Sequence, residues 1–459
     1  MVLPVSWSVL LEPLRGVFRR RGTFTMFTIL ASGMVATTGR RTVVGMLAGA
    51  RMAQTVSFHA ACRFFSHAKW EVDQLGLGVL RLILQHLPGA QQVSTGPDGT
   101  TIRSITVNID DTLFRRWGRK VYAAFWTHDG AAQGKHKIGR GNRWVVAGIV
   151  VRLPFCSSPV CLPILFRLWL GKGTASHVDL AAEMLAVLVA ALPTYRVHGV
   201  GDAAYHGQAL VAPGEATGAA TPPSSSQPVR TTWTTRLPHN AALYAPAPPP
   251  TGKPGRPRLK GDKLGTLADL AGQVTWRTVT VNRYGDLDTI DVASLSCIWH
   301  GSFGNAPGQC VLVREPDSDK AYDTAFFTLD TEATAEQVVE RYSVRWSIEP
   351  SNAIGKQQMG VGQARSRLPR AVERTVPFGM LVQSLVIVWY AVFGYHPEDV
   401  TARREAEPWY EAKTEPSFED MIIKLRKALI VTRISGTRPA QTDPRILRDY
   451  ELACAAAAA

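Results

Sequence analysis

Four side chains late in the chain, Tyr342, Arg345, Glu349 and Lys356, are separated by three, four and seven residues. On a helix turning by about 100° per residue they fall within an arc of roughly 60°. A phenol, a guanidinium, a carboxylate and an ammonium then share one stripe, while Trp346 and Ile348 point elsewhere. Such a stripe is either a solvated face or the polar seam of a buried helix, and the aromatic ring within it favours the seam. Pro350 directly follows Glu349. It lacks a helical donor and disfavours α backbone at the residue before it, so the helix is expected to kink or restart there.

Further carboxylates stand upstream. Ile102, Ile105, Val107 and Ile109 form a strand-like run into Asp110-Asp111-Thr112. Buried charge must be paired or metal-bound, so these aspartates are site candidates; an Asx-capped turn is the alternative. Tyr195 to Val200 is a second such run, entering Gly201-Asp202-Ala203-Ala204-Tyr205, where Asp202 is a site residue or a turn residue. Between the two lie strand-like runs at 143–153 and 161–170 and a helix from about 177 to 192, with Ser176 as its N-cap. The order is strand with Asp, strand, strand, helix, strand with Asp; in a ribonuclease-H-like fold, which has this order, the two aspartates would sit at neighbouring strand ends.

From Asp202 to Glu349 is 349 − 202 = 147 residues, far more than one connection needs. The stretch opens with low-complexity sequence over 213–228 and a strand-like 229–236. A Pro-rich linker, 245–250, and the basic segment Lys253-Pro254-Gly255-Arg256-Pro257-Arg258-Leu259-Lys260 follow. Strand-like runs at 274–283, 290–300, 309–315 and 325–330 complete a β-rich insertion. A helix over 331–356 carries Glu349.

Residues 1 to about 95 read as short basic helices, compatible with helix-turn-helix DNA binding or with a bundle packed on the rest. The 20 residues from Val376 to Tyr395 carry no charge and are long enough to cross a bilayer. Pro377, Gln383, Ser384 and Gly394 interrupt them and no second such segment exists, so a buried core helix is expected. The tail from Glu398 is charged, with an amphipathic helix at 418–431.

The chain has 459 residues, with 51 Lys and Arg against 37 Asp and Glu, for a formal charge of +14. A protein this basic points to a polyanion as partner, nucleic acid or an anionic membrane. Cys62, Cys156, Cys161, Cys297, Cys310 and Cys454 form no CxxC pair. Neither a zinc site nor a disulfide framework is indicated, and a reducing compartment fits.

The Tyr342-x2-Arg345-x3-Glu349-x6-Lys356 spacing resembles the signature around the last acidic residue of bacterial insertion-sequence DDE transposases. Asp110-x-Thr112 and Asp202-x-x-Tyr205 are similar to the surroundings of that family's first two aspartates, which favours Asp110 with Asp111 as the alternative. Arg63-Phe64-Phe65-Ser66-x3-Trp70 looks like the family's N-terminal region, and the resemblance covers most of 57–395. It implies an α/β fold: a ribonuclease-H-like mixed sheet flanked by helices, interrupted by a β-rich insertion, with an N-terminal helical domain. The implied units are a DNA-binding 1–98, a catalytic core in two parts at 99–210 and 331–396, the insertion at 211–330 and a helical tail at 397–459.

Under this resemblance Asp110, Asp202 and Glu349 are catalytic and hold two Mg²⁺ ions, hard cations that prefer oxygen ligands, with Mn²⁺ a possible substitute. Tyr342, Arg345 and Lys356 contact DNA phosphates. Arg256 and Arg258 add DNA contacts, because Gly255-Arg256-Pro257 resembles the core of an AT-hook. Asn142-Arg143-Trp144 and 135–137 are secondary candidates. The implied partner is double-stranded DNA, with a homodimer pairing two ends, no membrane and a cytoplasmic location. A nuclease without strand transfer and an inactive, transposase-derived DNA-binding protein are the alternative readings.

Overall fold

The computed structural model describes residues 1–95, 99–130, 132, 136–211, 213, 230–249 and 258–436. Helices open the chain: α1 (Val5–Leu11), α2 (Arg21–Ala36), α3 (Val43–Gly49), α4 (Phe58–Ser66) and α5 (Val72–His86). Then follow β1 (Gln92–Thr95), β2 (Thr101–Arg115), β3 (Phe125–His128), β4 (Ile138–Val151), β5 (Val160–Trp169), α6 (His177–Ala191), β6 (Tyr195–Val200) and β7 (Thr231–Arg236). Next are α7 (Leu267–Ala271), β8 (Arg277–Arg283), β9 (Asp286–Cys297), α8 (His300–Phe303), β10 (Gly308–Arg314) and β11 (Thr324–Thr328). The last helices are α9 (Ala335–Ser343), α10 (Ile348–Gln357), α11 (Pro369–Trp389), α12 (Asp399–Ala406) and α13 (Phe418–Gly436).

All eleven of these strands join one sheet, in the order β3-β4-β2-β6-β7-β11-β10-β9-β8, with β5 on β4 and β1 on the start of β2. β2 is antiparallel to β4 and parallel to β6, and β7 is parallel to β6. Helices flank this mixed sheet, which has the ribonuclease-H-like arrangement expected. Ser176 caps α6 as anticipated, in a reciprocal box with Asp179.

Two details differ from the sequence reading. β2 does not end at Asp110 but runs on to Arg115, still paired with β4, so Asp110 lies within the strand where β6 stops. β7, read as part of the insertion, is a core strand beside β6, and β11, β10, β9 and β8 extend the same sheet in antiparallel fashion. Trp233 is the reason β7 docks there. Its buried ring leaves room for glycine alone at 199 and 201, where an added Cβ would lie 2.4 and 2.5 Å from the indole.

The N-terminal helices share one hydrophobic core with the sheet and α11. Phe64, Phe65 and Trp70, within the unit expected to bind DNA, are buried there around Phe378. The Arg374 guanidinium of α11 donates to the carbonyls of Phe65, Ala68 and Trp70, satisfying the open end of α4. The stretch Pro369–Gly394 is long and apolar enough to cross a membrane, but 83% of its apolar window is buried inside the protein, as expected of a core helix.

Gly76 lets α5 touch the sheet. A Cβ there would stand 2.0 Å from the Ile164 carbonyl oxygen of β5, a backbone atom that cannot swing aside. Gly76→Ala should therefore lower unfolding free energy by on the order of 1–3 kcal/mol. Chemical denaturation measures this; unchanged stability would mean that α5 does not seat on β5.

Candidate active site

The site begins with the pleat of β2. Alternate residues face opposite sides of a strand. Ser104 and Thr106 face α9, lining a small cavity with Gln337, Glu340 and Arg341. Asn108, in the same phase, donates to the Val344 carbonyl and Ser347 Oγ in the turn between α9 and α10. Asp110 continues this series. Asp111 points the other way, into a 2.8 Å ion pair with Arg143 of β4 and towards His177 at the start of α6, 3.6 Å away.

The parallel register brings Asp202 to Asp110. Asn108 lies opposite Val200 and the chain leaves β6 directly afterwards, so Asp110 and Asp202 each stand two residues past the last matched pair. The Asp202 carboxylate accepts from the Ala204 amide at 2.8 Å, and its carbonyl accepts from Thr235 Oγ1 of β7 at 2.6 Å. Asp110 lies deep enough to feel the charge of Asp202. Asp110 is pushed up to about 7, by burial first and then by Asp111 and Asp202; its hydrogen bond from the Asp111 amide and the charge of Arg345 oppose this.

The polar stripe comes down onto the same face in two helical pieces. α9 is capped by a Thr334–Gln337 box and anchored by the 2.8 Å ion pair of Arg341 with Asp330. A tight turn, Val344–Ser347, follows, and α10 restarts at Ile348. The expected interruption is present, but it lies ahead of Pro350 and does not expel Glu349 from the helix. Pro350 occupies the first turn of α10, where a missing N–H leaves no bond unmade. Arg345 Nη2 lies 3.0 Å from Glu349 Oε1, and its guanidinium carbon lies 5.8 Å from the centre of the Tyr342 ring. Tyr342 packs on Phe326 at 4.5 Å, and its hydroxyl is pushed up by burial first and also by Asp202.

Lys356 lies farther along α10, 5.9 Å from the Phe114 ring. Burial lowers its pKa, against the raising charges of Asp129 and Asp110. It opens into a cavity of 760 Å³ whose lining includes Arg40, Arg115, Arg116, Arg365 and Arg367, with Asp129 their acidic neighbour. Arg115 pairs with Asp129 at 2.8 Å. Arg116 is buried, donates to Asn142 and to the carbonyls of Gly362 and Ala364, and keeps Nη2 without a partner. Burial lowers its pKa to about 10.

Among the described residues no three His, Cys, Asp or Glu side chains stand close enough to hold a metal ion as they are. The donors nevertheless suit one. Asp110 and Asp202 are hard oxygen ligands whose mutual repulsion a divalent cation would relieve, and Glu349 is held meanwhile by Arg345. Behind Asp111, buried atoms Nε of Arg143, Nε2 of His177 and the Tyr205 hydroxyl have no partners. His177 carried no sequence signal, because its nearness to Asp111 is created only by the fold.

The secondary candidates fare differently. Asn142 and Trp144 are buried, Asn142 holding Arg116 and the Tyr122 carbonyl, so neither side chain meets DNA. Arg143 is committed to Asp111 and the His128 carbonyl. Arg258 is exposed and pairs with Asp262 at 2.8 Å, while Lys260 sits 3.7 Å over the Tyr244 ring. Lys135 and the segment Lys253 to Pro257, with Arg256, lie outside the described residues, as do most of 213–228 and the tail beyond 436.

The raised pKa of Asp110 makes a pH prediction. Between its ordinary 3.8 and about 7 the folded, metal-free protein holds a proton that the unfolded chain releases, so stability falls as pH rises through this window. Asp110→Asn should melt higher than wild type at about pH 8 in chelator, with the advantage shrinking towards about pH 4. Melting curves across pH measure it; parallel curves would show that Asp110 is not crowded by charge.

Two family models match the chain. One, described as DDE superfamily endonuclease, covers residues 13–197, and the other, transposase DDE domain, covers residues 172–378. No curated protein matches it. The first match takes in Asp110 and the second takes in Asp202 and Glu349, and the chain belongs to the DDE transposase family.

Proposed function

We propose that the protein cuts DNA at the ends of an insertion element and joins those ends to target DNA, by phosphoryl transfer centred on Asp110, Asp202 and Glu349. The observation that carries this reading is the nearness of Asp110 and Asp202, each two residues past the last matched pair of β2 and β6, beneath a turn and helix that present Arg345 and Glu349. Asp110, Asp202 and Glu349 would hold two Mg²⁺ ions, with Mn²⁺ a possible substitute, supplying Lewis-acid activation of the attacking oxygen and stabilisation of the leaving one.

The chain's own groups bind and orient the DNA. Asp110 must give up the proton that burial and its neighbours favour before a cation can bind, so metal binding weakens as pH falls below about 7. Arg345 holds Glu349 in the free protein and turns its planar fork to a phosphate when DNA arrives, with Tyr342 beside it. Lys356 meets a phosphate as a point charge from the cavity side. Arg40, Arg365 and Arg367 on the cavity rim are exposed and carry the strand onward, with the exposed Trp117 ring beside them. Arg256 and Arg258 add peripheral phosphate contacts. Two ends must be paired for joining, so the protein works as a homodimer on DNA, in the cytoplasm. A nuclease lacking strand transfer would share this site and differ only in the joining step.

Replacing Asp110, Asp202 or Glu349 by Ala should each abolish cleavage of DNA carrying the element ends while leaving affinity for that DNA within a few-fold. Asp111→Ala should be milder, because Asp111 points to Arg143. A fully active Asp110→Ala beside a dead Asp111→Ala would exchange their roles. Appearance of joined product with Mg²⁺ separates transposase from nuclease. Replacing Arg40, Arg365 and Arg367 together should weaken DNA binding and flatten its salt dependence by about 0.9 log units for each phosphate no longer neutralised. An unchanged slope would remove the cavity rim from the DNA path.

A further inference from the structure

Helix α10 carries Glu349 but does little to fix its own start. Its N-cap, Ser347, makes no capping bond to the helix, and Pro350 supplies no amide proton in the first turn. Two side chains from other elements hold it instead. Asn108 of β2 donates through Nδ2 to the Val344 carbonyl at 2.7 Å and to Ser347 Oγ at 3.1 Å, on the near side of Glu349. Gln383 of α11 donates through Nε2 to the Ser351 carbonyl at 3.1 Å and Ser351 Oγ at 3.0 Å, two residues beyond Glu349. Ser347 Oγ donates on to the Val344 carbonyl at 2.7 Å, tightening the turn.

Both amides are fully buried, and each uses only its nitrogen. Asn108 Oδ1 and Gln383 Oε1 are buried without partners. An unsatisfied buried acceptor destabilises a fold, and a leucine or methionine of similar volume would avoid it. The residue type at both positions is therefore better explained by the directed donor than by packing. Asn108 also stands two residues before Asp110 on the same face of β2, so a single side chain ties the strand bearing the first carboxylate to the turn preceding the third. Gly355 completes the hold by letting α10 lie against Met380 of α11, where a Cβ would come within 2.2 Å of the sulfur.

We infer that Asn108 and Gln383 are positioning residues that clamp α10 from both sides and set where Glu349 meets Asp110 and Asp202. The inference rests on the proposed metal-dependent reading of the site. Neither side chain touches the reacting atoms; both act through the backbone and hydroxyls around Glu349.

The test compares wild type, Asn108→Leu and Gln383→Met by calorimetric titration with Mn²⁺, by cleavage at saturating DNA, by DNA affinity and by melting temperature. Misplacing a ligand through its support weakens metal binding or activity by about 10–100-fold. Expected are a Mn²⁺ dissociation constant raised at least about tenfold and a matching fall in kcat. DNA affinity and melting temperature should stay close to wild type, because each substitution also removes an orphaned acceptor. Folded variants with wild-type Mn²⁺ affinity and kcat would overturn the clamp. Should Asn108→Leu not fold, Gln383→Met decides by the same readouts. A wild-type protein that binds no Mn²⁺ would overturn the metal reading itself, whereas binding by wild type and equal binding by the variants would overturn only the clamp.

Discussion

The crowding of the part-buried Asp110 by the charges of Asp111 and Asp202 is the constraint on which this structure turns. Asp110 stands in β2 two residues past its last pairing with β6, Asp202 follows two residues after the end of β6, and Asp111 adds its charge from the reverse face. Burial raises the pKa of the Asp110 carboxyl, and the charges of Asp111 and Asp202 add to that, to about 7. The fold answers the charges on the two faces unequally. Asp111 has a dedicated partner in Arg143 at 2.8 Å. Asp110 has one backbone amide and the more distant field of Arg345, which is itself paired with Glu349. The incompletely answered face is the one towards which α9 and α10 present the polar stripe.

The sheet explains how residues 110 and 202 come near each other and what carries the helices that lead to 349. A parallel pair fixes register along its whole length, so six matched positions from Arg103 to Asn108 determine where Asp202 emerges relative to Asp110. Parallel pairing demands a long crossover, supplied by β3, β4, β5 and α6. Trp233 then locks β7 against β6 through glycines 199 and 201, holding the segment from which Asp202 departs. The second hydrophobic cluster, with Val281, Ile290, Val311, Phe326, Val338 and Val339, seats α9 on the extended part of the sheet. The antiparallel strands after β7 are thus the platform for the helix that leads to Arg345.

This division shows what the sequence could reveal. Patterns closed over a few residues were legible: the three-four-seven spacing, the Ser176 cap, the apolar runs of β2, β4, β5 and β6, and the charge-free core helix. The place of β7 was not. A six-residue Thr-rich strand after a low-complexity stretch looks alike whether it begins an insertion or completes a core, and only its pairing with β6 decides. The end of β2 was misread because Asp110 and Asp111 resemble a strand terminus; the antiparallel hold of β4 carries the strand past them. His177 and Asn108 gave no signal, since their partners lie 66 and 236 residues away, and Gln383 showed only as a polar break in the apolar helix, its partner 32 residues away. The proline after Glu349 was a correct sign of a break, but the tight turn before Ile348 absorbs it.

The charge of +14 also changes meaning once the fold is known. Part of the excess is structural. Arg374 serves carbonyls at the end of α4, Arg426 donates to the Val35 carbonyl of α2, Arg433 to Gly49 of α3, and Arg41 to Met34. A guanidinium at a helix C-terminus satisfies open carbonyls and faces the negative end of the helix dipole, so these cations are explained without a polyanion. Arg116 is used similarly, holding 361–364 from within, yet with Nη2 unpartnered its buried charge projects into the cavity beside Lys356. Arg40, Arg365 and Arg367 stand exposed around that cavity and have no ion pair among the described residues. These three arginines form a basic rim on the cavity proposed above as a path for DNA, beside Lys356, whose ammonium feels the charge of Asp110.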